Sequence, residues 1–310
     1  MATMDRTLAL PAARAPFGLP PLVVACLLAT WLIWGSTYLA IKFALVSFPP
    51  FVGMATRFLA AGLGLAAWMR WARRAPWPDA RQWRHALVVG ALMLGGGMGA
   101  TAYAEQSIGS GLVVAFIAIA PAIMTLGQWL FWRVAPGRVE SLGIAVGLAG
   151  VVLLTRGQGL QGSGAGLAAI VIACVAWCAG SLLSQRRLPL APGAMGFASE
   201  MVCGGVVLLA MAALHGEWPT LAARWPPEPL AVAAWAYLVV FGSLVAFNAY
   251  MLLLARTSAA LASSYAFVNP VIALLLGVTL GAETVSGFEW AAAGVVLAGV
   301  VLVVAGRRAR

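Results

Sequence analysis

Apolar residues form ten stretches, each about long enough to cross a bilayer as a helix, and polar residues gather in the short links between them. About 20 residues rising 1.5 Å each traverse the hydrocarbon layer. A backbone inside lipid also needs the internal hydrogen bonds of a helix. The pattern therefore predicts an all-α integral membrane protein with ten transmembrane helices. The predicted spans lie at residues 21–46, 50–71, 86–107, 110–132, 139–155, 164–185, 193–214, 229–255, 259–280 and 287–306. Eight or nine spans stay open as alternatives, because the fifth is the shortest.

The chain repeats itself at shifts of 143 to 149 residues. Chemically distinctive residues coincide under these shifts: Trp34 with Trp177, Arg57 with Glu200, Tyr103 with Tyr250, and Pro121 with Pro270. Each half holds five predicted spans, and because five is odd, the second half is inverted in the membrane. Inverted repeats are common in secondary transporters. We expect a cytoplasmic arm at 1–20, five-helix repeats at 21–156 and 163–306, and a basic cytoplasmic tail at 307–310.

Composition supports the membrane assignment and argues against a nucleic-acid-binding role. Hydrophobic residues make up 63% of the chain, charged residues make up 9%, and the mean hydropathy is +0.96. A soluble protein of 310 residues could not bury so much apolar surface. Of the 19 lysines and arginines, 15 fall on one side of the predicted bundle and two on the other. Because positive residues accumulate on the cytoplasmic side, both termini are predicted to be cytoplasmic.

Aromatic and amide side chains at interior depths of the spans form the candidate substrate cavity. They are Trp34, Tyr38, Tyr103, Trp177, Asn248, Tyr250, Tyr265 and Asn269. Aromatic rings line moderately apolar binding cavities, and amides bond an ammonium or a carboxylate without placing a full charge in the membrane. Ordinary packing of the bundle is the alternative for each of these residues.

Pro121 and Pro270 are predicted near the middle of the fourth and ninth spans. A proline inside a helix removes one hydrogen-bond donor and frees an upstream carbonyl. The pair is therefore a candidate for two hinges or for a carbonyl-lined site. The alternative is a static kink in each span.

Four charged residues inside the predicted spans are gate or charge candidates: Lys42, Arg57, Glu105 and Glu200. An ion in the membrane interior is costly unless it is paired. We therefore expect an outer ion pair in which Glu105 meets Arg57 or Lys42. Arg57 is also a candidate to bind a substrate carboxylate or to latch the outer gate. Lys42 and Glu105 can instead reach the lipid headgroups.

The sequence contains no motif for ATP hydrolysis, metal binding or catalysis. It has no Walker-type phosphate loop and no histidine pair or acidic metal box within the spans. We expect no cofactor, no metal and no enzymatic activity, with a membrane receptor or an intramembrane enzyme as the alternative from a different class. Transport is expected to run as solute exchange or as a proton-linked process through one residue, for which Glu200 is the inner candidate.

Several segments resemble one transporter family. Residues 34–42 read WGSTYLAIK, residues 49–51 read PPF and precede Arg57-Phe58, and the late spans carry Glu140, Gly143, Gly147 and Gly150, then Gly281-Ala282-Glu283, Gly294 and Gly299. Over nearly the whole chain, these residues resemble drug/metabolite transporter superfamily proteins with paired EamA-type domains. The length and the repeat agree with the ten-helix members, which include the YddG-type aromatic amino acid exporters of bacteria.

The resemblance implies a secondary transporter that exports small organic solutes across the bacterial inner membrane by alternating access. Large neutral or aromatic amino acids are the first expectation, and lipophilic drugs or sugar and nucleotide-sugar solutes are the alternatives. Phosphorylated solutes call for more central cations than Arg57 and Lys42 supply. The expected partners are the lipid bilayer and a small-molecule solute, without nucleic acid. A monomer satisfies these expectations, and the sequence leaves the oligomeric state open.

Overall fold

The computed structural model describes residues 19–108, 113, 116–155, 163–281 and 286–306. Regular structure within these ranges is helical and contains no β-strand. The predicted N-terminal arm up to residue 18, the link at Gly109-Ser110, the step at Ala282-Glu283 and the tail at 307–310 lie outside the described residues.

Helices make up most of the described molecule, and the majority of them are long and apolar. In the first half they are α1 (Pro21–Ala44), α2 (Pro50–Trp71), α3 (Ala80–Ala104), α4 (Ala120–Trp132) and α5 (Arg138–Thr155). In the second half they are α6 (Gly164–Arg186), α7 (Ala194–His215), α8 (Trp218–Ala223), α9 (Pro229–Arg256), α10 (Ala259–Ala262), α11 (Tyr265–Gly281) and α12 (Gly287–Gly306). Among the described residues, α1, α2, α3, α6, α7 and α9 are long and apolar enough to cross a membrane, and shorter apolar helices accompany them at Ala259–Ile272 and Trp290–Gly306. This architecture is that of a multi-pass membrane protein, as the hydropathy pattern predicts.

Prolines and a capping box set several helix starts. Pro21 and Pro50 occupy the first turns of α1 and α2, where a missing N–H costs no helical hydrogen bond. The third helix begins at Ala80, earlier than the predicted residue 86, because Asp79 and Gln82 cap it reciprocally. The Gln82 N–H donates to Asp79 Oδ1 at 2.7 Å, and the Asp79 N–H donates to Gln82 Oε1 at 2.9 Å. The polar first turns thus extend the helix beyond its apolar stretch.

The ninth predicted span is divided in the structure. The short helix α10 ends at Ala262 and α11 begins at Tyr265, with Ser263 and Ser264 between them. Ser263 Oγ donates to the Ala259 carbonyl at 2.7 Å, and Ser264 Oγ donates to the Leu261 carbonyl at 2.8 Å, both in α10. Serine hydroxyls that bond nearby carbonyls compete with continuation of the helix. Apolarity alone therefore predicts one span where the backbone has two helices.

The two halves of the chain exchange their first helices. The first helix, α1, packs against α9 and α11 of the second half, whereas α6 packs against α3 and α4 of the first half. The helix α2 packs on α7, and α5 packs on α12. Under the sequence repeat, α1 corresponds to α6, α3 to α9, and α4 to α11, so each of these contacts has a counterpart. The helices of both halves therefore meet around one centre.

Glycine permits the backbone contact between α5 and α12. A Cβ atom on Gly299 would lie 2.5 Å from the Gly147 backbone nitrogen and 2.9 Å from the Gly143 carbonyl oxygen. No side chain fits at such distances, so small residues are required for this close approach.

π-Helical turns occupy the middle of both α3 and α9. They span Ala91–Gly99 in α3 and Leu238–Phe247 in α9. The shift of 147 residues that aligns Gly95 with Gly242 also aligns these two segments. π-Helical turns are rare and occur frequently at functional sites. Both segments adjoin the cavity described next.

Candidate functional site

A cavity lies where helices of both halves meet, bounded mainly by α1, α3 and α6. The described residues that line it are Trp34, Thr37, Tyr38, Ile41, Gly97, Met98, Thr101, Ile117, Ala120, Ala173, Cys174, Trp177 and Tyr265. None of these lining residues is an acid or a base of the Asp, Glu, Lys, Arg or His type. The centre of a water molecule can reach about 50 Å³ of the cavity, which is room for a few waters. The site is therefore small and mainly apolar, with hydroxyl groups as its polar members.

Four aromatic rings pack together at this cavity, and Trp34, Trp177, Tyr250 and Tyr265 are called the aromatic cluster below. The Trp34 ring centroid lies 5.5 Å from that of Trp177, 5.1 Å from Tyr250 and 4.6 Å from Tyr265. The Tyr250 centroid lies 5.2 Å from Trp177 and 5.6 Å from Tyr265. Edge-to-face and tilted ring pairs of this kind contribute about 0.5–1.5 kcal/mol each beyond their burial. These contacts join Trp34 of the first half to three rings of the second half at the cavity.

Trp34 and Trp177 are repeat mates, yet they bond differently. Trp34 Nε1 donates to the Gly242 carbonyl at 3.2 Å, inside the π-helical segment of α9. Trp177 Nε1 is buried near the Tyr250 hydroxyl, and among the described residues it makes no hydrogen bond of regular geometry and none to a backbone carbonyl. The corresponding segment of α3 meets the Trp177 ring by packing, since a Cβ on Gly97 would lie 3.1 Å from it. The symmetry of the repeat is thus broken at the cavity wall.

The eight residues predicted for the cavity divide into three groups. Trp34, Tyr38, Trp177 and Tyr265 line it, Tyr250 and Asn269 lie directly behind the lining, and Tyr103 and Asn248 lie outside it. Asn269 Nδ2 donates to the Tyr38 hydroxyl at 3.2 Å, and the Tyr250 and Ser181 hydroxyls share a hydrogen bond of 2.9 Å. Asn269 and Tyr250 therefore support the lining.

Tyr103 and Asn248 make other contacts. The Tyr103 ring stacks on Phe51 with centroids 5.9 Å apart and lies edge-on to His215 at 5.4 Å. These residues gather at the start of α2 and the ends of α3 and α7. Asn248 Nδ2 donates to the Leu244 carbonyl of its own helix at 2.8 Å. The structure places neither residue in the cavity.

The two prolines are not equivalent. Pro270 lies inside α11, whereas Pro121 is the second residue of α4. A turn precedes α4, in which the Ile119 N–H donates to the Phe116 carbonyl at 3.1 Å. A proline in the first turn of a helix removes no helical hydrogen bond. The predicted mid-helix position is therefore wrong for Pro121, because the backbone turns just before it.

Arg57 is buried in α2 and reaches across to α9. Its Nε donates to Ser243 Oγ at 2.8 Å, its Nη1 lies 3.5 Å from Met54 Sδ, and the guanidinium carbon sits 4.7 Å from the Phe58 ring centroid. Gly242 makes room for this side chain, since a Cβ there would lie 2.7 Å from Arg57 Nη2. Arg57 thus contacts the π-helical segment that also accepts the Trp34 indole.

Neither predicted outer ion pair forms. Lys42 is exposed in the last turn of α1, and Glu105 follows the last residue of α3 with its carboxylate oxygens buried. Arg57 has no carboxylate within 4.0 Å in the part of the chain that the structure describes, where the ion pair found is His215 with Glu217 at 3.9 Å. The expected Arg57–Glu105 contact is wrong because the Arg57 side chain is directed to α9. Lys42 and Glu105 do not meet within 4.0 Å, although Lys42 is close enough for its charge to act on Glu105.

Glu200, the repeat mate of Arg57, is fully buried in α7. Both of its carboxyl oxygens lack a hydrogen-bond partner among the described residues. Within the same residues, no cluster of three His, Cys, Asp or Glu side chains is arranged to hold a metal ion. The Cys174 thiol donates to the Phe116 carbonyl before α4 at 3.4 Å, and the Cys178 thiol donates to the carbonyl of Ala120, the first residue of α4, at 3.7 Å.

The two halves both match the model of the EamA-like transporter family, at residues 21–156 and again at 164–305. The chain belongs to this family. The family resemblance predicted from residues 34–42 and the late-span glycines is therefore confirmed. Membership indicates a transporter built from two related halves.

Relatives of this EamA-like transporter include proteins named as transporters. "Uncharacterized inner membrane transporter YedA" of Escherichia coli (strain K12) is 40% identical over 282 residues, which cover 91% of this chain and 90% of the relative. "Uncharacterized transporter sll0355" of Synechocystis sp. is 26% identical over 309 residues, covering 89% of this chain and 88% of the relative. One solved crystal structure superposes with a TM-score of 0.72 at 20% identity, covering 93% of this chain and 98% of that one. It shows that the fold is shared.

Glu217 is a buried carboxylate to which the sequence analysis assigned no role. Glu217, just after α7, accepts the Phe51 N–H at 3.1 Å through Oε1 and the Val52 N–H at 2.8 Å through Oε2. It thereby caps α2, whose proline start provides no capping side chain of its own. The sequence shows only that α2 begins without a capping side chain of its own. It does not show that Glu217 supplies the cap, because the two positions are 166 residues apart.

The lining residues that sequence reasoning missed are small, aliphatic or hydroxylated. They are Thr37, Ile41, Gly97, Met98, Thr101, Ile117, Ala120, Ala173 and Cys174. Thr37 had a usable signal, since it lies within the family-like segment between Trp34 and Tyr38. The others resemble the small residues that fill any tightly packed helix interface. Their side-chain types alone do not mark a cavity.

Proposed function

We propose that this chain is a secondary transporter with ten membrane-spanning helices in two inverted five-helix repeats, exporting small organic solutes across the bacterial inner membrane by alternating access. The observation that carries the proposal is an uncharged aromatic cavity at the centre of a bundle whose halves exchange their first helices. The distribution of lysine and arginine supports cytoplasmic termini. The name of the Escherichia coli relative supports an inner-membrane location.

Paired contacts support the inverted repeat. The helix α1 meets α9 and α11 as α6 meets α3 and α4, and the two π-helical segments fall at the same place in the repeat. Two halves related by an axis in the membrane plane can form two similar packings that open to opposite sides. Alternating access follows when the bundle passes from one packing to the other.

The position of the cavity supports an outward-facing conformation. On α1 the lining runs from Trp34 to Ile41, in the half of the helix that ends at Ala44, and on α3 it reaches Thr101 near the helix end. Under the proposed topology these helix ends face outward. The aromatic cluster then separates the cavity from the cytoplasm, and inward opening requires its rings to part.

Large neutral or aromatic amino acids fit this lining best. The apolar surface offered to a solute side chain is formed by the rings of Trp34, Trp177 and Tyr265 together with Met98 and Ile117. The hydroxyls of Thr37, Tyr38 and Thr101 offer donors and acceptors to a carboxylate or an ammonium. The space for a few waters is smaller than an amino acid, so binding widens the cavity by moving side chains or helices.

Lipophilic solutes are the competing class because the same apolar lining holds them without any polar partner. Sugars fit less well, since few lining groups can satisfy several hydroxyls. Phosphorylated solutes lack a cation in the lining, because Arg57 is directed to α9.

Counterflow in proteoliposomes tests the proposal. Purified protein would be offered labelled L-phenylalanine, L-tryptophan, L-leucine, L-glutamate, glucose and tetraphenylphosphonium against excess unlabelled solute, with protein-free liposomes as the control. We expect exchange of the three large neutral amino acids and little exchange of glutamate or glucose. Exchange of tetraphenylphosphonium alone would indicate that the solutes are lipophilic compounds rather than amino acids. Exchange of none of them would contradict a transporter of these classes.

A further inference from the structure

Glu200 is a carboxyl group buried in the bundle without a partner. It lies in the second turn of α7, its exposed fraction is 0%, and neither carboxyl oxygen has a hydrogen-bond partner among the described residues. Removing an uncompensated carboxylate from water costs several kcal/mol. The site therefore needs one positive partner, which is either a proton on the carboxyl or a cation that reaches it.

The surrounding helices supply no such partner. Tyr250 of α9 and Cys203 of α7 lie within electrostatic range of Glu200, and neither provides a positive charge. The helices α2 and α3 also pack against α7, but Arg57 bonds to α9 and His85 bonds to a backbone carbonyl between α6 and α7. The other charged residues of α2 and α3 lie at the helix ends.

Other buried carboxylates are compensated. Glu105 also has unpartnered oxygens, but it follows the end of α3, is only partly buried as a residue, and lies within electrostatic range of Lys42. Glu217 accepts two backbone N–H groups at the start of α2. Glu105 thus has a nearby positive charge and Glu217 has two hydrogen-bond donors. Among the described residues, Glu200 has neither, and it does not contact solvent.

Tyr250 of the aromatic cluster is close enough to Glu200 for their charges to interact. Its ring contacts Trp34, Trp177 and Tyr265, which line the cavity, and its hydroxyl is within electrostatic range of Glu200. Under the proposed topology, the aromatic cluster closes the cytoplasmic side. A role for Glu200 in transport requires that parting these rings exposes its carboxyl group to the opened cavity.

We propose that Glu200 is a cation site occupied alternately by a proton and by the ammonium group of the solute, an inference that rests on the proposed function as an exporter. In the outward-facing conformation the buried carboxyl holds the proton. After inward opening it releases that proton to the cytoplasm, and the carboxylate binds the solute ammonium. When the carrier turns outward again, a proton from outside replaces the ammonium before the aromatic cluster seals the site. One proton enters for each solute exported, and the Glu200 carboxylate is never buried without a proton or an ammonium beside it. The loaded carrier carries the negative charge of the solute's own carboxylate outward, and the protonated carrier returns neutral, so that one positive charge moves inward per cycle.

Equilibrium binding of labelled L-phenylalanine to the purified full-length protein, measured over a series of pH values, tests this competition. Affinity in the wild type is expected to fall about tenfold per pH unit on the acid side, because one proton competes with one ammonium. Glu200→Gln is expected to bind weakly and without pH dependence, whereas Glu200→Asp keeps the slope. Glu228→Gln, which changes an exposed carboxyl at the start of α9, is the matched control and should behave as the wild type.

Several outcomes would overturn the cation site. One is a wild-type phenylalanine affinity that does not change with pH. Another is a pH dependence that survives in Glu200→Gln, and its loss in Glu105→Gln would then assign it to Glu105. Equal competition by N-acetyl-L-phenylalanine, which has no ammonium, would also overturn it. If Glu200→Gln fails to fold, the wild-type slope and its retention in Glu200→Asp decide the question.

Proton coupling is read in the same proteoliposomes used for counterflow. With the membrane potential clamped at zero, a gradient of one pH unit should drive up to about tenfold accumulation of phenylalanine in the wild type and none in Glu200→Gln. Exchange at equal pH together with no accumulation under the pH gradient would overturn the cation site while leaving the exporter intact. Absence of exchange for every solute would remove the exporter itself.

Discussion

Trp34 joins the cavity to the π-helical segment of α9. Its ring packs with the aromatic cluster, and its Nε1 donates to the Gly242 carbonyl at 3.2 Å. The adjoining Ser243 accepts from Arg57 of α2 at 2.8 Å. One short segment therefore receives a hydrogen bond from the cavity wall and another from a buried cation. A change in the backbone of this segment would therefore alter both the Trp34 and the Arg57 hydrogen bonds.

Replacing Trp34 by Phe separates packing from hydrogen bonding at this position. The ring contact is largely kept, but the Gly242 carbonyl loses its indole donor, at a cost of about 1–3 kcal/mol if no water replaces it. We expect the counterflow rate of Trp34→Phe to fall about tenfold or more at matched membrane abundance. Trp177→Phe is the control, since among the described residues its Nε1 makes no hydrogen bond of regular geometry and bonds no backbone carbonyl. Equal rates in the two variants would contradict a specific role for the Trp34 bond.

The buried charges show what residue type alone could not reveal. Arg57 and Glu200 align in the repeat, and their depth in the membrane follows from the hydropathy pattern. Their partners do not, because the direction of a long side chain depends on which helices pack beside it. Gly242 admits the Arg57 guanidinium to α9, and that neighbour is fixed only by the folded bundle.

At the scale of elements, α3 and α9 are the irregular members of the bundle. Each carries a π-helical segment at its centre, and α11 contains Pro270 in its interior. A π-turn and an internal proline both weaken the regular hydrogen-bond ladder of a helix. These segments are therefore the places where a rocking motion can bend the backbone at least cost.

Pro270→Ala and Pro121→Ala test the hinge proposal as a pair. Alanine restores a backbone donor within α11, which should stiffen the helix and lower the counterflow rate several-fold while phenylalanine affinity changes little. The same change at the start of α4 restores no helical hydrogen bond, so Pro121→Ala should transport normally. Both rates are scored at matched abundance in proteoliposomes. Normal transport by Pro270→Ala would remove the hinge.

Local chemistry explains which element boundaries the sequence predicted. Pro21 and Pro50 mark the starts of α1 and α2 closely, because proline restricts the backbone whatever packs around it. The start of α3 moved to Ala80 through the capping box at Asp79, a polar signal that a search for apolar stretches passes over. The ninth span is divided at Ser263, where a serine hydroxyl bonds a backbone carbonyl and competes with the helix. Serine hydroxyls also occur inside unbroken helices, so the residue type alone does not predict this break.

At the scale of the whole molecule, the exchange of α1 and α6 between halves places one cavity at the centre of the bundle. The sequence repeat predicted that Trp34 and Trp177 are equivalent, and the structure brings their rings to 5.5 Å. It did not predict that Tyr103 and Tyr250 separate, with one at a helix end and the other in the aromatic cluster. Repeat symmetry relates the positions of helices, whereas the environment of a side chain depends on its neighbours in the other half.

If solute passes through this cavity, a cysteine at Met98 should react from the outside, and bound solute should protect it. Met98 lines the cavity and is partly exposed. The four native cysteines would be replaced by alanine, and Leu214→Cys would be the control because that side chain is 90% exposed at the end of α7. A membrane-impermeant thiosulfonate added from outside would be scored for modification and for counterflow of labelled L-phenylalanine.

We predict that modification of Met98→Cys abolishes exchange, that saturating phenylalanine slows this modification, and that Leu214→Cys is modified without loss of transport. Full modification of Met98→Cys with unchanged exchange, or modification that phenylalanine does not slow, would contradict the cavity as the path of the solute.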